Sequence, residues 1–188
     1  MDEPLRVTEP AVLRAVAHPL RRRLLDVVRV HGPQTASLLA ERTGSAVGSI
    51  SHHARVLAEA GLLQEAPELA RDRRERWWTL VRTGIAWAEA DFDDDPAAAA
   101  TAAAATQLGL ARQLELTRAW LARSATVPEW RSAALSSDFW LQLSPGELQD
   151  LGQQINELVG SWRTRDIPDD GVARHPVFVL ARGFPAEP

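Results

Sequence analysis

The sequence predicts an α+β protein that is mainly α-helical, and three patterns support this fold class. Apolar residues recur at helical spacing in two blocks, one before residue 61 and one between residues 97 and 162. Two short β-type runs separated by a charged loop follow the first block. An alanine-rich segment near residue 97 opens a long helix, because alanine has the highest helix propensity. A helical N-terminal domain closed by a hairpin, a long helix and a C-terminal strand-helix-strand unit are therefore expected.

Composition narrows the class of protein. Of the 188 residues, 45% are hydrophobic and 24% are charged, which is ordinary for a globular protein. No run approaches the roughly 20 apolar residues of a membrane helix, and residues 1–4 lack the basic-then-apolar order of a signal peptide. Cysteine is absent, which excludes disulfides and thiolate metal sites. We expect a cytoplasmic protein that does not bind membranes.

The charge is divided unevenly along the chain. Residues 10–82 carry 12 arginines and 7 acidic residues, a net charge of +5, so the rest of the chain carries −9 of the total of −4. A basic segment joined to an acidic one is typical of a module that binds a polyanion, carried on a domain that does not.

The first apolar block begins with three predicted helices separated by turns. The helical period between Val12 and Val30 is broken at Pro19, which suits the first turn of a second helix. Thr35 is suited to N-cap a short third helix over residues 36–42.

A tight turn and a fourth helix follow. Gly44 supplies the left-handed residue that ends a helix, and Ser45 is predicted to cap a helix over residues 46–60. Strands are predicted at residues 62–66 and 76–81, around a charged loop. Helices, a turn and a hairpin with a basic tip together predict a winged helix-turn-helix. The apolar face of the fourth helix is predicted to be buried through Val47, Ile50, Ala54, Leu57 and Ala58.

The predicted domains are a winged domain over residues 1–82, a connection over residues 83–96, and a dimerisation and effector region over residues 97–188. Acidic residues before Pro96 suit the positive N-terminus of the long helix, expected over residues 97–124. A seam at alternating three- and four-residue steps suits pairing of this helix with a second copy. The seam contains Gln107, Leu110, Leu114, Thr117 and Leu121.

The last third predicts strand, helix and strand. Apolar residues alternate over residues 139–143, and a run of buried type covers residues 177–180. Between them, Ser144 and Glu147 have the spacing of a capping box before an amphipathic helix.

Two segments carry a resemblance to a known family. The run from Ser49 to Leu63 resembles the recognition helix of ArsR/SmtB-type winged-helix regulators, and the run from Leu13 to Leu25 resembles their opening helices. The resemblance covers residues 10–82, and beyond residue 83 the chain resembles only a subset with an extended C-terminal region. It implies a homodimeric bacterial transcription regulator that binds duplex DNA at a pseudo-palindromic promoter site. The sequence shows no nucleophile-base pairing, phosphate loop or paired-carboxylate motif, so no catalytic activity is expected.

Candidate DNA contacts follow from the register of the fourth helix. With the apolar face buried, its outer face turns toward the major groove, and arginines at the hairpin tip reach the minor groove or phosphates. Val56 is expected on this outer face. The candidate DNA-binding residues are Ser45, Gly48, Ser49, Ser51, His52, His53, Arg55, Arg71, Arg73, Arg74 and Arg76; the candidate dimer contacts are Leu110, Leu114, Thr117 and Leu121.

No cofactor or metal site is expected. Metal-responsive members of the family carry a cysteine motif in the helix before the recognition helix, and residues 33–40 contain no thiol here. The adjacent His52 and His53 point about 100° apart on a helix and do not suit a shared ion. Four tryptophans in the C-terminal region are explained by core and dimer packing, or by a pocket for a small apolar effector: Trp120, Trp130, Trp140 and Trp162.

The sequence therefore predicts a DNA-binding transcription regulator that acts as a dimer. One alternative is a winged-helix module that binds a protein or a small molecule and has no DNA-binding activity.

Overall fold

The computed structural model describes residues 5–72, 75–82 and 84–188. The chain divides into two compact units, one ending at Leu114 and the other running from Glu115 to Pro188. The predicted domain bounds of residues 1–82, 83–96 and 97–188 stay a prediction.

Two helices open the first unit after a short strand, β1 (Leu5–Arg6). They are α1 (Pro10–Val16) and α2 (Pro19–His31), each with a proline in its first turn, where a missing backbone N–H costs nothing. His18 occupies the N-cap position of α2, and this bend confirms the predicted interruption at residues 18 and 19. The buried residues of α2 are Leu24, Leu25 and Val28.

The next two helices form a helix-turn-helix. After strand β2 (Gln34–Thr35), α3 spans Ala36–Thr43 and α4 spans Val47–Glu59. The Thr35 hydroxyl accepts a hydrogen bond from the Leu38 N–H at 3.2 Å, as expected for an N-cap. Gly44 ends α3 at a φ of +67°, a left-handed conformation that favours glycine. A side chain at this position would strain the turn that aims α4.

The wing is an antiparallel sheet of three strands in the order β2-β4-β3. Strand β3 (Leu63–Glu65) and strand β4 (Trp77–Leu80) form the predicted hairpin, with Leu63 opposite Leu80. The pairing of β2 with β4 ties the wing to the start of α3, and Trp78 of β4 is buried.

A parallel pair that the sequence did not predict closes the first unit. Strand β5 (Ile85–Ala86) pairs with β1, and Arg6 donates to both carboxylate oxygens of Asp91 at 2.9 and 3.0 Å. Asp91, one of the acidic residues before Pro96, therefore neutralises an arginine. Asp95 acts as a helix cap instead, because its carboxylate accepts from the N–H groups of residues 97 and 98 at the start of the next helix.

The long helix α5 spans Pro96–Arg123 and confirms the predicted helix to within one residue at each end. Its first half belongs to the core of the first unit, where small side chains allow close packing. The buried residues of α5 are Ala98, Ala102, Ala105 and Gly109. Asp26 of α2 forms ion pairs with Arg29 at 2.8 Å and with Arg112 of α5 at 3.5 Å.

The second unit contains α6 (Pro128–Ala133) and α7 (Pro145–Thr164). The capping box at the start of α7 is confirmed: Ser144 accepts from the Glu147 N–H, and the Glu147 carboxylate accepts from the Ser144 N–H at 2.7 Å. The Ser144 hydroxyl also donates to this carboxylate at 2.7 Å, and the two hydrogen bonds donated by the Ser144 N–H and hydroxyl lower the pKa of Glu147.

The predicted C-terminal strands are wrong. Residues 139–143 and 177–180 form no strand, and their apolar side chains are exposed, Phe139 at 81% and Val177 at 63%. A strand needs a partner to complete its hydrogen bonds, and within the described part of the chain neither segment joins a sheet. Trp140 and Trp162 are also exposed, so packing inside the single chain does not account for them.

Candidate nucleic-acid interface

The inner face of α4 is anchored in the core, and this fixes the orientation of its outer face. Ile50, Ala54 and Leu57 have no exposed surface and pack in the core that α2 and α3 also line. Burying Ile50 and Leu57 contributes roughly 1.5–3 kcal/mol per side chain, enough to determine which way the helix is turned.

Most predicted contact residues of α4 lie where the helical register places them. Gly48, Ser49, His52 and Arg55 are exposed on the outer face. Ser51 and His53 are half-buried on the flanks, as expected. The Ser51 hydroxyl donates to the backbone carbonyl oxygen of residue 47 at 3.0 Å.

Three predictions near the ends of α4 are corrected. Val47 was predicted to be in the core and is 47% exposed, because it is the first residue of α4 and lines a surface groove. Ser45 does not cap α4: it is half-buried in the turn, and Ala46 takes the N-cap position without a side-chain hydrogen bond. Val56 was expected to face outward, but it is half-buried against the core.

A groove of about 460 Å³ runs between α4, the first turn of α3 and strand β4. It brings together three predicted contact residues, Ser51, Arg55 and Arg76. The remainder of its lining is Thr35, Ala36, Ser37, Val47, Glu75 and Trp78. Two guanidinium groups and several hydroxyls in one groove can donate hydrogen bonds to the phosphates of a nucleic-acid backbone.

Sequence reasoning missed the contribution of α3 to this groove. Ser37 is exposed in the first turn of α3, beside the Thr35 cap, and lines the groove. The sequence did contain a signal for this contribution, namely the hydroxyl residues at the start of α3. Hydroxyls and N–H groups at a helix N-terminus attract anions.

Carboxylates accept hydrogen bonds from backbone N–H groups on either side of the wing tip. The backbone N–H of Arg71 donates to the Glu75 carboxylate at 2.8 Å, and the Glu75 N–H donates to the Asp72 carboxylate at 3.1 Å. The side chains of Arg71 and Arg76 are exposed, and Arg76 lies 3.3 Å from the Glu65 carboxylate. The predicted contacts Arg73 and Arg74 lie outside the described residues.

The basic run at residues 21–23 has mainly structural contacts. Arg21 donates to the backbone carbonyls of residues 14 and 15. The guanidinium of Arg22 lies 5.8 Å from the ring centre of Trp87, and burial lowers its pKa. Arg23 is exposed, and its guanidinium donates to the backbone carbonyl of residue 42 at 3.4 Å.

Within the described residues, no three histidine or acidic side chains are grouped so that they could hold a metal ion. The same part of the chain contains no helix long and apolar enough to cross a membrane.

Comparison with known proteins supports the fold of the first unit. Residues 16–65, from the end of α1 to the end of β3, match the family described as "Helix-turn-helix domain". No curated protein matches the chain. The family match and the arrangement of α3, α4 and the wing confirm the predicted winged helix-turn-helix fold.

Two solved structures are partly similar to the chain. An ArsR family transcriptional regulator has 24% identity and a TM-score of 0.32, over 57% of this chain and 88% of that one. RV1404 from Mycobacterium tuberculosis has 16% identity and a TM-score of 0.30, over 80% of this chain and 82% of that one.

Proposed function

From the premise that residues 16–65 form a helix-turn-helix domain, we propose that this chain is a sequence-specific transcription regulator that binds duplex DNA as a dimer. The observation that carries the proposal is the outer face of α4. That face is exposed and bears hydrogen-bonding side chains, while the opposite face is fully anchored in the core.

In the proposed complex α4 enters the major groove. Ser49 and His52 reach base edges, because their short polar side chains donate and accept hydrogen bonds there. Gly48 allows the backbone to approach closely, and within 4 Å of where its Cβ would lie there are no other atoms of the described chain. Arg55 and Arg76, which share the groove beside α4, bind phosphates.

The proposed dimer forms through the second half of α5. Leu110 is half-buried, and Leu114 and Leu121 are 44% and 65% exposed in the single chain. With Thr117 they line one face of a helix whose first half is already buried in its own core. A two-fold axis there would set two α4 helices about 34–36 Å apart, one turn of DNA, on a pseudo-palindromic site. Such a protein acts in the bacterial cytoplasm, without a cofactor.

A second candidate function is supported by the surface of residues 115–188. This unit exposes many large apolar side chains, including Trp140, Trp162 and Phe178. A surface of this kind suits a protein partner or a small apolar effector. A winged-helix module that binds such a partner without DNA is therefore the alternative to be tested.

Salt dependence separates the two candidates. The affinity of the full chain for duplex DNA is expected to fall steeply as salt rises, because bound arginines release counterions. Arg55→Ala and Arg76→Ala should each reduce the log–log slope by about 0.9 per lost phosphate contact, and by about twice that in a dimer. The measurement is a titration of labelled duplex by fluorescence anisotropy at several salt concentrations.

The matched control is Arg118→Ala, an exposed arginine on α5 in the second unit. It should leave the slope unchanged. Equal slopes for all three variants and the wild type would contradict the proposed interface, and absence of binding at low salt would favour the protein-interaction module.

A further inference from the structure

Two histidines are in contact where α4, the proposed recognition helix, packs against the corner between α1 and α2. His18 lies at the bend before α2, and His53 lies on the inner flank of α4. Their ring centres are 4.6 Å apart, with an angle of 39° between the rings. The contact joins the α1–α2 corner to the helix that is proposed to enter DNA. The ring of His52, on the outer face, lies 5.3 Å from that of His53.

The surroundings of the pair favour uncharged rings. Both side chains are half-buried, and the Nδ1 atom of each is buried without a hydrogen-bond partner in the part of the chain that is described. Burial lowers the pKa of His18 below its ordinary value of 6.5, and the charge of Arg21 lowers it further. Burial is also the main cause that lowers the pKa of His53, followed by the charges of His18, Arg21 and His52.

The charged groups around the pair are mostly cationic. From α2, the guanidinium of Arg21 is held in place by hydrogen bonds to two backbone carbonyls. Arg14 of α1 and Glu59 of α4 line the adjoining groove together with Arg21. Among these three side chains only Glu59 could compensate the charge of an added proton, and it shares the groove with two arginines. Protonated rings would therefore repel each other and Arg21 across the His18–His53 contact.

We propose that the His18–His53 contact is a pH-sensitive switch. While both rings are neutral, the contact holds the recognition helix in place, and protonation of the rings weakens this packing. This inference rests on the proposed function, since it names the regulation of the same DNA-binding face. The regulating ligand is the proton, and acidification is the signal.

The sign of the effect follows from the burial of the rings. A histidine whose pKa is lower in the folded than in the unfolded state binds more protons when unfolded. The part of the folding stability that the neutral rings contribute is therefore fully present above about pH 6.5. It is lost progressively as the pH falls below that value, until the folded pKa is reached. Within that window the unfolding equilibrium constant rises by up to about tenfold per pH unit for each histidine.

The first test uses the free protein and does not depend on DNA. Thermal unfolding of the full chain is followed by circular dichroism from about pH 8 to about pH 5, a range in which histidines titrate. The midpoint of the wild type should fall on acidification, and that of His18→Gln/His53→Gln should fall markedly less. His31→Gln, an exposed histidine at the end of α2, should behave as the wild type does.

If the double variant does not fold, the single variant His53→Gln and imidazole proton NMR of the wild type replace it. The proposal expects two imidazoles to titrate below the ordinary value of 6.5, and one of these two resonances to be missing in His53→Gln. Ordinary titration of both rings, or equal acid sensitivity of wild type and variants, would overturn it.

The second test measures binding to a selected duplex at constant ionic strength over the same pH range. Relative to the double variant, the wild type should lose affinity on acidification by several-fold. If the wild type instead gained affinity on acidification relative to the double variant, the proposal would be overturned, because protonated His53 would then be serving as a phosphate contact. If no duplex binds at any pH while the unfolding test succeeds, the proposed function fails and the proton-sensitive contact stands.

Discussion

Replacing Ser49 and His52 together with alanine is expected to abolish the preference for the cognate site without unfolding the protein. Both side chains are exposed on the outer face of α4, so the thermal midpoint should change little; surface substitutions stay within about 0.5 kcal/mol. Each base contact is worth about 1–3 kcal/mol, and a dimer loses every contact twice. The ratio of affinities for the selected and a scrambled duplex should therefore fall by at least about a hundredfold.

The control for this variant removes the same chemical groups elsewhere. Thr8→Ala/His31→Ala deletes an exposed hydroxyl and an exposed imidazole outside α4 and should keep the affinity ratio. A cognate preference that survives in the Ser49/His52 variant would show that other residues read the bases. A lowered midpoint would show instead that these side chains support the fold.

Replacing Leu114 and Leu121 with aspartate is expected to yield monomers that bind a full site far more weakly. Both leucines are exposed in the single chain, so the monomer should keep its fold, while four charges would enter an apolar dimer seam. Loss of the dimer removes the simultaneous contact of two half-sites, which lowers affinity by about 10²–10⁴-fold. Sedimentation velocity gives the oligomeric state, and anisotropy gives the affinity.

Ala119→Asp is the matched control for the dimer seam. Ala119 is exposed on α5, on the side of the helix away from both leucines, and its replacement should leave the mass and the affinity unchanged. A dimer that persists in the leucine variant would place the interface elsewhere. The apolar surface of residues 115–188 would then be the next surface to test.

Local signals in the sequence predicted most of the helix-turn-helix. Thr35 caps α3 and Gly44 ends it because each has a local chemical property that the backbone needs at that point. The 3.6-residue period likewise placed Ile50 inside and Ser49 outside. These features depend on neighbours within one helical turn and can be read without knowledge of the fold.

Features that depend on distant partners were not predictable in the same way. The pair β1–β5 has only two residues in each strand, too few for a period, and Arg6 finds Asp91 across 85 positions. Residues 139–143 have the alternation of a strand, but alternation does not supply a partner strand. Val47 has the residue type of a core position, yet it begins α4 and lines a surface groove.

The contact between His18 and His53 illustrates the same limit at the candidate site. Both residues were visible in the sequence, one at a helix break and one beside His52 on the recognition helix. Their approach to 4.6 Å depends on how α4 packs across the α1–α2 corner, which no local pattern encodes.

The most direct test of the central claim is a map of backbone amide shifts in the isotope-labelled full chain as a selected DNA duplex is added. The largest shifts are expected at Gly48, Ser49, His52 and Arg55, with a second group at Arg71 and Arg76 on the wing. Shifts confined to residues 115–188, with α4 unaffected, would contradict a recognition helix that enters DNA by its outer face.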